Sequence, residues 1–202
     1  MIDPVRFITN LSSGEMGYAI ARRAREKGFK VTLISGPTHL KVPKGVSYVP
    51  IVTVRDLERA LRKHFRRNDI LIMSAAVGDF IPEKRTTGKI PRSPHWKINF
   101  RQSPDLVRRA AQKKGRRLVI GFSLETGRWI KRSRQKMVRK NLDGIVANYF
   151  SPRHNPFGSS KVRAALINGK ESRVVRSRSK LEFAGKLMNW VGQMAEGKAL
   201  KN

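Results

Sequence analysis

The stretch Asp69-Ile70-Leu71-Ile72-Met73-Ser74-Ala75-Ala76-Val77-Gly78-Asp79-Phe80 decides the fold class. From Asp69 to Ala75 it is nearly all apolar, the pattern of a short strand covered on both faces, as in parallel sheets. It then ends in small residues and a carboxylate. Small residues at a strand end let backbone amides approach a ligand.

The same pattern recurs outward from this stretch. Lys30 to Ser35 (KVTLIS) reads as a buried strand ending in Gly36-Pro37, and Val46 to Ile51 as a shorter one. Leu118–Phe122 and Gly144–Ala147 are a fourth and a fifth. Helical patterns fit between them. Met16, Ala19, Ile20 and Ala24 recur at helical spacing and stop at Gly28, a fitting C′ residue. Thr53 and Asp56 form a capping-box pattern ahead of the stripe Val54, Leu57, Leu61, Phe65. Ser103-Pro104 predicts an N-cap followed by a proline at the first helical position, and another helix is expected from about Gly127 to Arg139.

Strand–helix alternation predicts an α/β fold, a doubly wound and mainly parallel Rossmann-like sheet with helices on both faces. Two regions depart from it. Residues 80–101 contain Pro82, Gly88, Pro91 and Pro94, then the alternating run His95–Phe100, and read as a loop and flap. Val162–Ile167 and Glu171–Val175 flank Asn168-Gly169, the signature of a C-terminal β-hairpin. Between Asn148 and this hairpin lies a Pro/Gly/Ser loop. A last helix begins near Ser179, and residues 196–202 read as a frayed tail. The whole, 1–202, is expected to be a single domain.

Composition bounds the function. The chain has 202 residues, 39% hydrophobic, and no cysteine, which excludes disulfides, thiolate metal sites and a cysteine nucleophile. It contains no apolar run long enough for a membrane span and no secretory signal, so a cytoplasmic location is expected. The net charge is +30. Lysines and arginines are spread through helices and loops (Arg22, Arg23, Arg62, Lys63, Arg108, Arg109) and are not confined to a tail. There is no RNA-recognition aromatic motif and no Cys/His finger. The charge therefore argues for non-specific affinity for nucleic acid, or for an anionic small substrate on a solvated basic surface.

In open α/β sheets ligands bind beyond the carboxyl ends of the strands. Those ends are Ser35-Gly36-Pro37, Ser74 to Phe80, Phe122 to Thr126, and Asn148, with Asp79 and Glu125 as carboxylates. Asp79 reads either as a capping or loop carboxylate or as part of the site. Ser12 to Gly17 opens a helix, and a helix N-terminus attracts anions. Lys136 and Lys140 share a helical face, either solvated or reaching a triphosphate. Lys89 is a solvated loop lysine or one that closes over phosphates. His39, His64, His95 and His154 lack metal-ligand spacing, and no protein metal site is expected. The chain lacks a Tyr-x-x-x-Lys pair, a Walker-type phosphate loop, G-x-G-x-x-G and G-x-S-x-G. An NAD(P) oxidoreductase is the weaker reading, since no proton-donor pair is visible.

Taken in order, DPVRFITNLSSGEMGYAIA, VTLISGP, SAAVGDF, GKI, SPDL, GFSLET and KMVRKNLDGIVAN resemble the phosphopantothenoylcysteine synthetase domain of the DNA/pantothenate metabolism flavoprotein family, from residue 3 to about 190. The resemblance implies a ligase of coenzyme A biosynthesis. CTP or ATP, with Mg²⁺, would activate the carboxylate of 4′-phosphopantothenate as an acyl-nucleotide, which cysteine then attacks. It implies roles residue by residue: Asn10 at the acyl intermediate, Arg6 on phosphate or carboxylate, and Lys89 as a catalytic, nucleotide-binding lysine. Ser74, Ala75, Ala76, Asp79, Ser103, Pro104, Asp105 and Phe122 would hold base and ribose, and Lys136 and Lys140 the nucleotide. A homodimer through flap and hairpin is implied, and a separate flavin-dependent decarboxylase is a candidate partner. The family's first strand and Gly-Thr loop have no counterpart here, which should expose apolar surface. The rival reading is a truncated or catalytically impaired relative that binds nucleotide or nucleic acid.

Overall fold

The computed structural model describes residues 1–84, 86–151 and 161–199. His154 and most of the Pro/Gly/Ser loop lie outside the described residues, as does the tail from residue 200.

The first helix, α1 (Glu15–Glu26), stops where predicted. Gly28 takes φ 86°, and Phe29 N–H turns back to the Ala24 carbonyl at 3.1 Å, so the helix closes in a Schellman-type turn. Strand β1 (Thr32–Ser35) pairs in parallel with β2 (Ser47–Pro50). Helix α2 (Val54–His64) carries the predicted capping box: Thr53 Oγ1 accepts the Asp56 amide at 3.1 Å, and the Asp56 carboxylate accepts the Thr53 amide at 2.9 Å. After a 3₁₀ turn (Phe65–Arg67) comes β3 (Ile70–Met73). The flap holds two short antiparallel strands, β4 (Phe80–Pro82) and β5 (Phe100–Gln102). The run His95–Asn99 is irregular, so its alternation does not mark a strand.

Helix α3 (Leu106–Gln112) starts later than predicted. Its N-cap is Asp105, whose carboxylate accepts the Arg108 amide at 3.1 Å, while Ser103 is drawn away to the Gly78 carbonyl. Strand β6 (Leu118–Glu125) and strand β7 (Gly144–Tyr149) flank α4 (Trp129–Arg139), and both strands run longer than their apolar cores. The hairpin β8 (Val162–Asn168) and β9 (Ser172–Ser177) is present. Asn168 closes it through its side chain, accepting the amides of Lys170 and Glu171 at 2.8 and 2.9 Å. Helix α5 (Lys180–Ala199) continues through most of the predicted frayed tail.

The main sheet has the order β3-β6-β7-β8-β9, parallel from β3 to β7 and antiparallel through the hairpin. On one face Ile20 and Ala24 of α1 and Phe183, Leu187 and Trp190 of α5 pack on Ile120, Val146 and Leu166. On the other, Ala111 and Met137 of α3 and α4 meet Val119, Ile145 and Ala165. Alternation along β6 and β7 feeds both faces, which is why these strands read as continuous apolar runs.

One feature departs from a continuous doubly wound sheet. β1-β2 and the β3 sheet are separate ladders, and no described strand lies between β1 and β3. Both ladders share the same covering helices. Leu33 and Ile70 lie on the α1 side, while Ile34 and Leu71 lie on the α2 side. The helices thus span a slot between two strand edges. Accordingly Ile34, Ile70, Leu71 and Ile72 are only half-buried, whereas Val119 and Ile120 next door are fully buried.

Candidate functional site

The strand ends converge as the sheet topology requires. Ser35 to Thr38 after β1, Ser74 to Gly78 after β3, Phe122 to Leu124 of β6 and Asn148 of β7 all line one cleft of about 1380 Å³. Its base is the slot between β1 and β3. Its wall includes the start of α1, where Gly14 (φ 77°) precedes the helix with no side-chain cap and Glu15 N–H donates to Ser13 Oγ at 3.4 Å. Gly17 abuts β3 closely: a β-carbon there would stand 3.2 Å from Ser74 Oγ.

Residues 1–14 have no regular structure, and Phe7 to Asn10 with Ser12 to Gly14 line the large cleft. Asn10 is exposed, and its Nδ2 donates to the carbonyls of Ala76 (3.1 Å) and Val77 (3.4 Å). The side-chain amide is therefore held at the end of β3, among Ser74, Ala75 and Ala76. Phe122 and Pro104 line the same cleft. Six of the predicted site residues are brought together here.

Others gather elsewhere. Arg6 and Lys89 line a second cleft of about 380 Å³ with Ile90, Arg92 and Trp96. Arg6 is built into it. Its Nε pairs with Asp3 Oδ2 at 3.0 Å, Nη2 donates to the Ile90 carbonyl at 2.6 Å, and the guanidinium stacks 4.2 Å from the Trp96 ring centroid. Asp3 is fully buried and accepts the amides of Val5, Arg6 and Ile90. Burial pushes its carboxyl up, but the three amides and Arg6 prevail and hold it below the usual carboxylate range. Asp3 was not singled out from the sequence. An acidic residue three before an arginine, followed by proline, is the local signal for such a turn.

Asp79, Ser103, Asp105, Lys136 and Lys140 do not line the large cleft. Ser103 links the flap to the β3 end, its hydroxyl donating to Gly78 O at 2.6 Å and its amide to Asp79 O at 2.8 Å. Asp105 caps α3 and pairs with Lys140 at 3.0 Å. Lys136 pairs with the buried Glu125. The two lysines thus leave a common helical face for different carboxylates. Ser123 and Ser133 share a buried hydrogen bond of 2.7 Å that fixes α4 against β6.

A cleft at the strand ends and a positioned amide frame the comparison with known proteins. Residues 1–194 match the family described as the DNA/pantothenate metabolism flavoprotein C-terminal domain. The chain belongs to that family. It is 32% identical over 198 residues to the coenzyme A biosynthesis bifunctional protein CoaBC of Bacillus subtilis, covering 96% of this chain and 49% of that protein. It is 37% identical over 189 residues to CoaBC of Vibrio cholerae, covering 91% and 47%. The chain thus spans about half the length of these curated relatives. The crystal structure of the C-terminal domain of a CoaBC superposes with a TM-score of 0.81 at 31% identity, covering 97% of this chain and 90% of that one. The mixed α/β fold, with its mainly parallel central sheet, is that of this family domain. Among the described residues no helix is long and apolar enough to cross a membrane.

Proposed function

We propose that this flavoprotein-family domain is a phosphopantothenate–cysteine ligase of coenzyme A biosynthesis, CTP- or ATP-dependent. The observation that carries the reading is Asn10, held by the Ala76 and Val77 carbonyls where the strand ends meet. A carboxylate resists an amine until it carries a good leaving group. The carboxylate oxygen of 4′-phosphopantothenate attacks the α-phosphorus of the triphosphate, and pyrophosphate leaves. The cysteine amine then attacks the acyl carbon, and the nucleoside monophosphate leaves with the bonding pair. The Asn10 carboxamide, exchanging the longer Val77 contact for the substrate, donates to the developing oxyanion without competing as a nucleophile. Arg6 offers the guanidinium N–H groups not taken by Asp3 and Ile90 to phosphate or carboxylate, and Lys89, beside it, closes over the phosphates.

Ser74, Ala75, Ala76 and Phe122 receive base and ribose. Lys136 and Lys140 exchange Glu125 and Asp105 for phosphate oxygens, with Asp79, Ser103, Pro104 and Asp105 along that rim. The nucleotide arrives as its Mg²⁺ complex. Among the described residues no group of three or more His, Asp or Glu is placed to hold a metal ion, and magnesium on phosphate oxygens and water asks for no such cage. A homodimer accords with the exposed Phe80, Phe100 and Val174 on flap and hairpin.

A coupled assay with phosphopantothenate, cysteine and each nucleoside triphosphate tests the reading. Nucleotide-dependent pyrophosphate release is expected, and release no greater than from folded Asn10→Ala protein would overturn it. One observation favours a second reading, a relative that binds nucleotide without turnover: the slot between β1 and β3 leaves the floor of the cleft open. It predicts thermal stabilisation by CTP or ATP with no pyrophosphate.

A further inference from the structure

The sheet edge opposite Asn10 has a character of its own. There the 3₁₀ turn after α2 and the ends of α3, α4 and α5 come together beside the starts of β3, β6 and β7. Three half-buried cations stitch them. Arg117 donates to the Arg66 carbonyl at 2.8 Å, Lys114 to the Asn141 carbonyl at 2.7 Å, and Lys198 to the Arg117 carbonyl at 2.8 Å. Lys114 and Lys198 share one carboxylate, Asp143, at 3.1 and 3.2 Å. Cations bonding the last carbonyls of helices are ordinary complements to the helix dipole.

The surrounding cations exceed that role. Lys63, Arg66, Arg67, Lys113, Arg116 and Arg139 are exposed at the same edge, and none of their side chains takes part in a described ion pair or hydrogen bond. Among the described residues the exposed carboxylates at this edge are fewer, Asp69, Glu171 and Glu196. Like charges held this close by a rigid scaffold repel one another unless a polyanion neutralises them.

We infer that this edge is a nucleic-acid docking surface that grips the phosphate backbone of a duplex. The chemistry favours a duplex over other polyanions. Membrane adsorption needs an apolar face to insert, and among the described residues Val138 is the one large apolar side chain strongly exposed beside these cations. Single strands bind through stacked bases, and no exposed aromatic residue lies at this edge among the described residues. Four of the six cations are arginines, which pair with phosphate oxygens through two parallel hydrogen bonds. Contacts to phosphate carry no sequence information, so recognition through them is independent of sequence.

Fluorescence anisotropy of the whole chain with a labelled 20-base-pair DNA duplex, titrated from 50 to 200 mM salt, tests the inference. One variant carries Arg66→Gln, Arg67→Gln, Lys113→Gln and Arg116→Gln. A control carries Arg55→Gln, Arg128→Gln, Lys131→Gln and Arg132→Gln, exposed cations at the starts of α2 and α4 on the opposite edge, and melting curves verify both folds. The edge variant is expected to lose at least about tenfold in affinity and about 2 to 4 from the slope of log K against log salt. The control should stay within about threefold of the parent. Saturating Mg-CTP should leave duplex binding unchanged, because the triphosphate occupies the other edge. Equal losses in both variants, displacement by Mg-CTP, or equal binding to vesicles of anionic phospholipid would each overturn the inference.

Discussion

The Asp3 carboxylate accepts the Ile90 amide at 3.2 Å across 87 positions of sequence. With Arg6 bonded to the Ile90 carbonyl, this contact joins the opening segment to the flap next to Lys89. Asp3 is therefore a positioning group for Arg6 and Lys89 in the smaller cleft. Asp3→Ala should lower kcat/KM of the proposed ligase by about 10- to 100-fold, since misplacement of about 1 Å is enough for such a loss. Asp3→Asn, which still accepts from two amides, should recover part of it. Steady-state kinetics on both variants checks this.

Asn10→Ala should reduce steady-state pyrophosphate release by about 10²- to 10³-fold, the scale of losing one donor to a developing oxyanion, because slowed amine attack leaves the acyl-nucleotide on the enzyme. Thermal stabilisation by Mg-CTP should persist, because the side chain is exposed and tied only to loop carbonyls. Asn10→Asp places a negative charge beside the anionic intermediate and should be at least as damaging.

The α2 capping box has a pH signature. The Thr53 hydroxyl bond, with the Thr53 amide and Arg59, holds Asp56 down to about 2 against its partial burial. A carboxyl whose folded pKa is depressed stabilises the fold above its unfolded value near 3.9, and that contribution fades as pH falls from about 5 to 2. Thr53→Ala should cost about 1 kcal/mol at neutral pH, and the difference from the parent should shrink toward pH 2. Chemical denaturation at several pH values checks it.

At Gly144 a β-carbon would stand 2.5 Å from the Trp190 ring and 3.1 Å from Ile120. Gly144→Ala should destabilise by about 1–3 kcal/mol through overpacking. Trp190 fluorescence should shift as the ring moves, measured alongside urea unfolding.

The slot between β1 and β3 should be visible in hydrogen exchange. Among the described residues no strand pairs with the β1 and β3 amides facing it, so they should exchange well before those of β6 and β7, whose ladders are paired on both edges. Protection in β3 equal to that in β6 would mean that the slot is closed in solution.

The sequence by itself determined the elements. Apolar runs marked β3, β6 and β7 because both faces of those strands are covered. Thr53 with Asp56, and Gly28, marked helix ends because caps are local chemistry. The ordered motifs carried the family and the strand-end cleft. Only the tertiary structure decided where partners meet across long separations. It moved the α3 cap from Ser103 to Asp105, since Gly78 captures the Ser103 hydroxyl. It separated Lys136 from Lys140, each drawn to a different carboxylate. It also opened the slot and gathered cations from four helix ends on one edge. These are consequences of chain packing in three dimensions, and neither periodicity nor spacing along one strand or helix encodes them.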